Sequence, residues 1–253
     1  TLLGERSGVV SGSALLVDYV LTITVSIAAA GDALFSFLPT AWIGAKLPVE
    51  ILIIVALTTI NIRGVRESIL TLLPVFILFL ITHAVLIGAG LLYHPESYTS
   101  VVGNVVDGFE SGLTALGFGG MLLLFAHAYS LGGGTYTGIE AVSNGLPIMR
   151  EPRVATGKRT MAYMAASLAL TASGLMICYL LWNVGFADGK TLNASLAEGV
   201  ANSLSLGPTF VVLTLISEGA LLILAAQAGF LDGPRVLANM AVDSWVPRRF
   251  ASL

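Results

Sequence analysis

The sequence predicts an all-α integral membrane protein with about six transmembrane helices. Of its 253 residues, 56% are hydrophobic and only 11% are charged, whereas a soluble domain carries roughly 25% charged residues. The mean hydropathy is +0.89, and the apolar residues form continuous stretches long enough to cross a hydrocarbon core of about 30 Å. A soluble fold is therefore excluded.

Six hydrophobic spans are predicted, each bounded by polar, glycine or proline residues. They lie at residues 13–38, 49–62, 68–94, 113–149, 161–187 and 207–231. The second is short for a full crossing unless Arg63 to Arg66 extend it. The fourth, at about 37 residues, is too long for one straight helix across the bilayer. We therefore expect an interruption in the fourth span.

The positive charges predict the orientation of the spans, because Lys and Arg are enriched in short cytoplasmic loops. With a cytoplasmic N-terminus, only Lys46 and Lys190 lie outside. The other ten of the twelve positive residues then lie inside: Arg6, Arg63, Arg66, Arg150, Arg153, Lys158, Arg159, Arg235, Arg248 and Arg249. This asymmetry requires an even number of crossings and independently favours six. Loops 95–110 and 186–206 are then external, each with a short interfacial helix, as at 196–204.

Several classes of function find no support in the sequence. The net charge is −3, and no clustered Lys/Arg face indicates binding to nucleic acid. No nucleophile–base pair or metal-ligand cluster indicates an enzyme, and no cofactor is expected. The single cysteine, Cys178, lies in an apolar stretch and is interpreted as a packing residue. The expected partners are the lipid bilayer and a small solute or cation.

Polar residues within the first span form the first candidate site. Asp18, Thr22 and Ser26 are spaced i, i+4, i+8 and share one helix face, with Tyr19 beside them. A charge at the bilayer centre costs roughly 2.5–3.5 kcal/mol, so this face should meet a partner or water, and it is interpreted as an ion path. Alternatively, Thr22 and Ser26 bond back to backbone carbonyls and Asp18 is hydrated near the interface.

A glycine-rich segment at 130–140 is the second candidate site. Each glycine costs about 1 kcal/mol in a helix interior, so the helix is expected to break there. Freed backbone groups at membrane depth survive only when they line a cavity or are buried in protein, and such a break indicates a transporter binding site. The alternative is a packing face for a neighbouring helix. The residues concerned are Gly132, Gly133, Gly134, Tyr136, Thr137, Gly138 and Glu140.

The ionisable residues in the spans include Glu140, which is a lead candidate, and four weaker candidates. Glu140 is open to two interpretations, as the holder of a coupling proton or cation or as an acceptor for freed amides. Glu218 and Asp32 also lie within predicted spans. His83 and His127 are single histidines, which are more often hydrogen-bonded packing residues.

Four stretches together resemble the amino acid–polyamine–organocation (APC) superfamily of secondary transporters: DYVLT at 18–22, NIRGVRES at 61–68, YTGIE at 136–140 and the segment 234–248. The resemblance implies a LeuT-like inverted-repeat fold in which this chain is one transmembrane domain, 1–253, and supplies the family's helices 3 to 8. Residues 13–94 would then hold three helices of the first repeat and 113–231 three of the second, with 232–253 as a cytoplasmic loop. The remaining helices would belong to the same parent protein, without which no transport is expected.

Two substrate classes are compatible with the resemblance. The segment around YTGIE and the segment 234–248 look most like the KimA/Kup-type potassium–proton symporters of the bacterial cytoplasmic membrane, with H⁺ as coupling ion. The implied potassium ligands are Asp18, Tyr19, Thr22, Ser26, Thr137 and Glu140. The same motifs occur in amino acid and polyamine permeases, where the break binds the substrate's carboxylate and amine. A channel, a structural subunit and assembly as a homodimer stay open.

Overall fold

The computed structural model describes residues 4–63, 69–94, 97–133, 142–143, 146 and 149–252. Across these ranges it has no β-strand, and seven α-helices have both of their ends described. The helices are α1 (Glu5–Phe35), α2 (Lys46–Ile62), α3 (Ile69–Leu92), α4 (Ser97–Gly132), α5 (Arg153–Leu181), α6 (Leu192–Ser203) and α7 (Gly207–Val242). The predicted all-α class is confirmed.

Six segments of the described chain are long and apolar enough to cross a membrane. They are Arg6–Phe35, Thr40–Ile62, Leu73–Leu92, Ser97–Gly132, Arg153–Leu181 and Gly207–Val242. The predicted number of spans is confirmed, and the chain is a multi-pass membrane protein. The short helix α6 does not count among the spans and lies where an interfacial helix was predicted.

The second span is longer than predicted and gains its length at its N-terminal end. A 3₁₀ segment, Thr40–Ala45, leads directly into α2, so the candidate span has 23 residues. α2 ends at Ile62, and the Arg63 amide caps it by donating to the Thr59 carbonyl at 3.1 Å. Arg63 thus lies outside the helix, and residues 64–66 lie outside the described ranges.

The helix α4 begins earlier than predicted and is kinked. It starts at Ser97, so the described part of the predicted loop 95–110 is helical. Gly117 interrupts the helix with φ 66° and ψ 172°, in a region that glycine enters without a Cβ clash. The α-helix ends at Gly132, and residues 134–141 lie outside the described ranges.

The last helix, α7, continues past its predicted end at residue 231. It runs through Gly233 and Pro234 to Val242, so the predicted start of a loop at 232 is wrong. Proline removes one helical hydrogen bond. The turns beyond it are nevertheless packed, since Val236 and Met240 form a buried cluster with Tyr19 of α1. This burial stabilises the helix beyond the proline.

The chain forms two compact units, Thr1–Phe79 with Val212–Leu253, and Leu80–Val211. In the first unit, Ile27 of α1, Leu57 of α2 and Ala226 of α7 form a buried cluster. The three helices that carry these residues therefore share a core.

In the second unit, α5 packs closely on α3. A Cβ at Gly90 would lie 2.5 Å from Sγ of Cys178, which is fully buried. The indole Nε1 of Trp182 donates to the Gly90 carbonyl at 2.9 Å. Cys178 is thus a packing residue, as predicted.

Candidate functional site

The four candidate residues of the first span occupy one side of α1. At 100° per residue, Asp18, Tyr19, Thr22 and Ser26 fall within a sector about 100° wide. Tyr19 and Thr22 are 3% and 8% exposed, and Asp18 and Ser26 are half-buried. We name these four residues the oxygen face of α1.

Thr22 and Ser26 differ from Thr24 of the same helix in their hydrogen bonding. Thr24, which is exposed, donates back to the carbonyls of Val20 and Leu21 at 3.0 and 3.1 Å. Within the described ranges, Thr22 and Ser26 form no such bond, and Asp18 forms no ion pair with another described side chain. The alternative in which Thr22 and Ser26 bond back to the backbone is therefore not what the described residues show.

Glycines of α7 allow it to approach α1 closely beside the oxygen face. A Cβ at Gly229 would lie 2.8 Å from Cγ1 of Ile23 and 3.1 Å from the Tyr19 carbonyl oxygen. A Cβ at Gly219 would lie 2.9 Å from Cγ of Leu34. Small residues are what membrane helices use for such close approach. α7 therefore holds α1 in place over several turns.

One buried carboxylate of α7 lies next to a residue that contacts the oxygen face. Asp232 is 8% exposed, and its Oδ1 is 3.5 Å from Nη1 of the exposed Arg235. It precedes Gly233, whose Cβ would lie 3.8 Å from the Tyr19 ring. Sequence reasoning missed Asp232 because the hydropathy pattern placed it in a loop.

A reciprocal amide pair joins α2 to α7. Nδ2 of Asn61 donates to Oε1 of Gln227 at 2.8 Å, and Nε2 of Gln227 donates to Oδ1 of Asn61 at 3.1 Å. Asn61 also donates to the Leu57 carbonyl at 2.8 Å. This pair was not identified from the sequence, although each residue is an amide next to an apolar run. Two hydrogen bonds between partly buried side chains fix the register of the two helices.

A charged cluster lies where the C-terminal part of α1 meets the N-terminal part of α2. Lys46 forms an ion pair with Asp32, and its Nζ is 3.8 Å from Oε1 of Glu50. Glu50 is only 9% exposed. It was also missed, because the predicted second span began at residue 49 and left Glu50 at its edge. In the other unit, Lys190 pairs with Glu198, so both predicted external lysines bind carboxylates.

The remaining candidates are placed only in part. Gly132 is the last residue of α4, and Gly133 follows in a 3₁₀ turn. His83 is buried, with Nδ1 3.4 Å from Oγ1 of Thr82, and His127 is exposed. Five predicted residues lie outside the described ranges: Gly134, Tyr136, Thr137, Gly138 and Glu140.

The fold and the oxygen face define a multi-pass membrane protein whose apolar helices hold polar groups against one another. A family model described as amino acid permease matches residues 1–253. The chain therefore belongs to that family, within the APC superfamily, and the resemblance is confirmed.

One relative is the potassium transporter KimA of Bacillus subtilis (strain 168), 31% identical over 255 residues. The match covers 98% of this chain and 39% of the relative. The chain thus spans about two fifths of the length of the curated relative that it matches.

Proposed function

We propose that this chain is the part of a secondary active transporter that contains its third to eighth helices, and that the whole protein takes up K⁺ together with H⁺. The observation that carries the proposal is the oxygen face of α1, in a chain similar to a potassium transporter. Its polar side chains present only oxygen atoms, and hard cations select oxygen ligands.

The oxygen face suits a monovalent cation in charge and in available ligands. The Asp18 carboxylate supplies one negative charge, which offsets the charge of K⁺ in a medium of low dielectric. The hydroxyls of Thr22 and Ser26 are not engaged by a described residue. The close packing of Gly229 and Gly233 on α1 holds these oxygens on rigid elements, as a selective site requires.

The glycine-rich segment supplies the second half of the proposed site. We propose that the chain unwinds after Gly133, that Tyr136, Thr137 and Gly138 line the break, and that Thr137 adds a potassium ligand. Glu140 is proposed to carry the coupling proton or to bind the cation directly. These roles rest on the sequence and on membership of the family.

An amino acid or polyamine permease is the second candidate. The description of the matching family as amino acid permease favours it. In that case the break would bind the carboxylate and amine of the substrate, because half-helix ends expose backbone amides and carbonyls.

The two candidates are separated by uptake into cells that lack their own potassium uptake systems. Cells that express the full-length transporter are given limiting potassium, and accumulation of labelled amino acids is measured in parallel. We expect growth to be restored and no amino acid to accumulate. Amino acid accumulation without growth would reverse the assignment.

Substitution of Glu140 tests the proposed coupling. Glu140→Gln in the full-length protein should abolish gradient-driven rubidium uptake while expression is unchanged. Glu198→Gln is the matched control, because Glu198 is bound to Lys190 by two contacts of 2.7 Å. Normal uptake by Glu140→Gln would remove Glu140 from the mechanism.

Three further parts of the proposal concern the membrane location, the assembly and the mode of transport. We propose a location in the bacterial cytoplasmic membrane, with the N-terminus of α1 inside, and a homodimer as a candidate assembly. A channel in place of a transporter would give much faster flux that is independent of the proton gradient.

A further inference from the structure

The charged cluster of Lys46, Asp32 and Glu50 contains an acidic oxygen that the surrounding residues do not satisfy. Oε1 of Glu50 is fully buried and accepts no hydrogen bond from a described residue. The residue as a whole is 9% exposed. A buried carboxylate oxygen without a hydrogen bond is costly, so this arrangement needs a compensating group.

The backbone of α1 is shaped around this oxygen. A Cβ at Gly31 would clash with Oε1 of Glu50 and lie 2.9 Å from its Cδ. Any side chain at position 31 would therefore displace the carboxyl group. Gly31 gives Glu50 its place against α1, next to Asp32.

The nearby ammonium group only partly compensates Glu50. Lys46 contacts Asp32 directly, whereas its Nζ is 3.8 Å from Oε1 of Glu50, beyond hydrogen-bond length. The Asp32 side chain is 53% exposed and can be hydrated, whereas Oε1 of Glu50 is fully buried. The better-solvated carboxylate thus holds the lysine, and the buried one lacks it.

The charge balance of the cluster points to a proton as the missing positive charge. Two carboxylates and one ammonium leave one negative charge where the candidate spans Arg6–Phe35 and Thr40–Ile62 meet. A metal cation is disfavoured, because Lys46 already lies between the two carboxylates. No residue of the preceding segment Thr40–Ala45 is charged. On α7, the ionisable residue at this end of α1 is Glu218, which precedes the Gly219 that packs on Leu34.

We propose that Glu50 is a proton-binding site, distinct from the oxygen face, and that Lys46 alternates between Asp32 and Glu50 as this proton leaves and returns. When Glu50 is protonated, Lys46 binds Asp32 as observed. When the proton leaves to water, Lys46 moves to the Glu50 carboxylate and Asp32 is hydrated. The proposal goes beyond the proposed function and does not depend on which solute is carried.

Infrared spectroscopy tests the proposal and does not require a measurement of transport. The full-length protein is labelled with ¹³C-carboxyl glutamate, reconstituted in lipid and titrated with acid and base. The carbonyl stretch of a protonated carboxyl group is followed in wild type, Glu50→Gln and the control Glu198→Gln. We expect a titrating band that Glu50→Gln removes and Glu198→Gln retains. An unchanged spectrum in Glu50→Gln would overturn the proposal.

The role of Lys46 has its own test, which also serves if Glu50→Gln fails to fold. Lys46→Met removes the cation from the cluster, and the midpoint of the Glu50 band should rise by about 1–3 pH units. Asp32→Asn leaves Lys46 free to bind Glu50, and the midpoint should fall. If the midpoint shifts equally in the two variants, or in neither, the proposal that Lys46 alternates between Asp32 and Glu50 is wrong.

Discussion

Replacement of Thr22 by valine tests whether the hydroxyls of the oxygen face bind the transported ion. Valine keeps the branched shape of threonine, so the packing around this residue, which is 8% exposed, is retained. The substitution removes the hydroxyl oxygen of Thr22, which has no hydrogen-bond partner among the described residues. A contact of a polar group to a charge contributes about 1.5–3 kcal/mol, which corresponds to about 10- to 150-fold in affinity.

Thr24→Val is the matched control in the same helix. Its hydroxyl is bonded to the carbonyls of Val20 and Leu21, and its side chain is exposed. The assay is the concentration dependence of rubidium uptake into liposomes that contain the full-length protein, with thermal stability measured on the same samples. We expect KM to rise by the stated factor in Thr22→Val and to stay near the wild-type value in Thr24→Val. Equal KM values in both variants, at equal stability, would refute the assignment of Thr22.

Three further experiments test the helix packing and the kink in α4, each measured as stability to denaturant in detergent. Gly229→Ala should destabilise by about 1–3 kcal/mol by overpacking against Ile23, whereas Gly88→Ala, with no atom within 4 Å of the new Cβ, should be neutral or stabilise by up to about 1 kcal/mol. Similar values for the two would contradict the close approach of α7. Asn61→Ala and Gln227→Ala should each cost about 1–3 kcal/mol, because each removes both hydrogen bonds between the two amides. The double variant should cost less than their sum, and strict additivity would contradict the pair. Gly117→Ala should destabilise by about 1–2 kcal/mol, since its φ is 66° and an L side chain is strained there. Stability equal to that of Gly88→Ala would contradict the kink.

Hydropathy alone predicted the class of fold and the number of spans, because both depend on the length of apolar runs. Boundaries set by tertiary packing were predicted less well. Gly233 and Pro234 are strong stop signals, yet α7 continues because Val236 and Met240 pack on Tyr19. The kink at Gly117 could not be located, since its neighbours include other glycines and only the backbone dihedral singles it out.

The oxygen face could be predicted because its members are close in sequence and a helix places them on one side. The charged cluster and the amide pair could not, because their members lie on different helices. Gln227 is 166 positions from Asn61, and Glu50 meets Gly31 only through packing of α2 on α1. Helix periodicity carries no information about which helices become neighbours.

The most direct test of the central claim is to locate the transported ion. Crystals of the full-length protein grown with rubidium in place of potassium would show the ion by its anomalous scattering. The oxygen face predicts a peak within coordination distance of the Asp18 carboxylate and the Thr22 hydroxyl, which disappears in Thr22→Val. A rubidium peak elsewhere, with Asp18 and Thr22 facing lipid, would contradict the account.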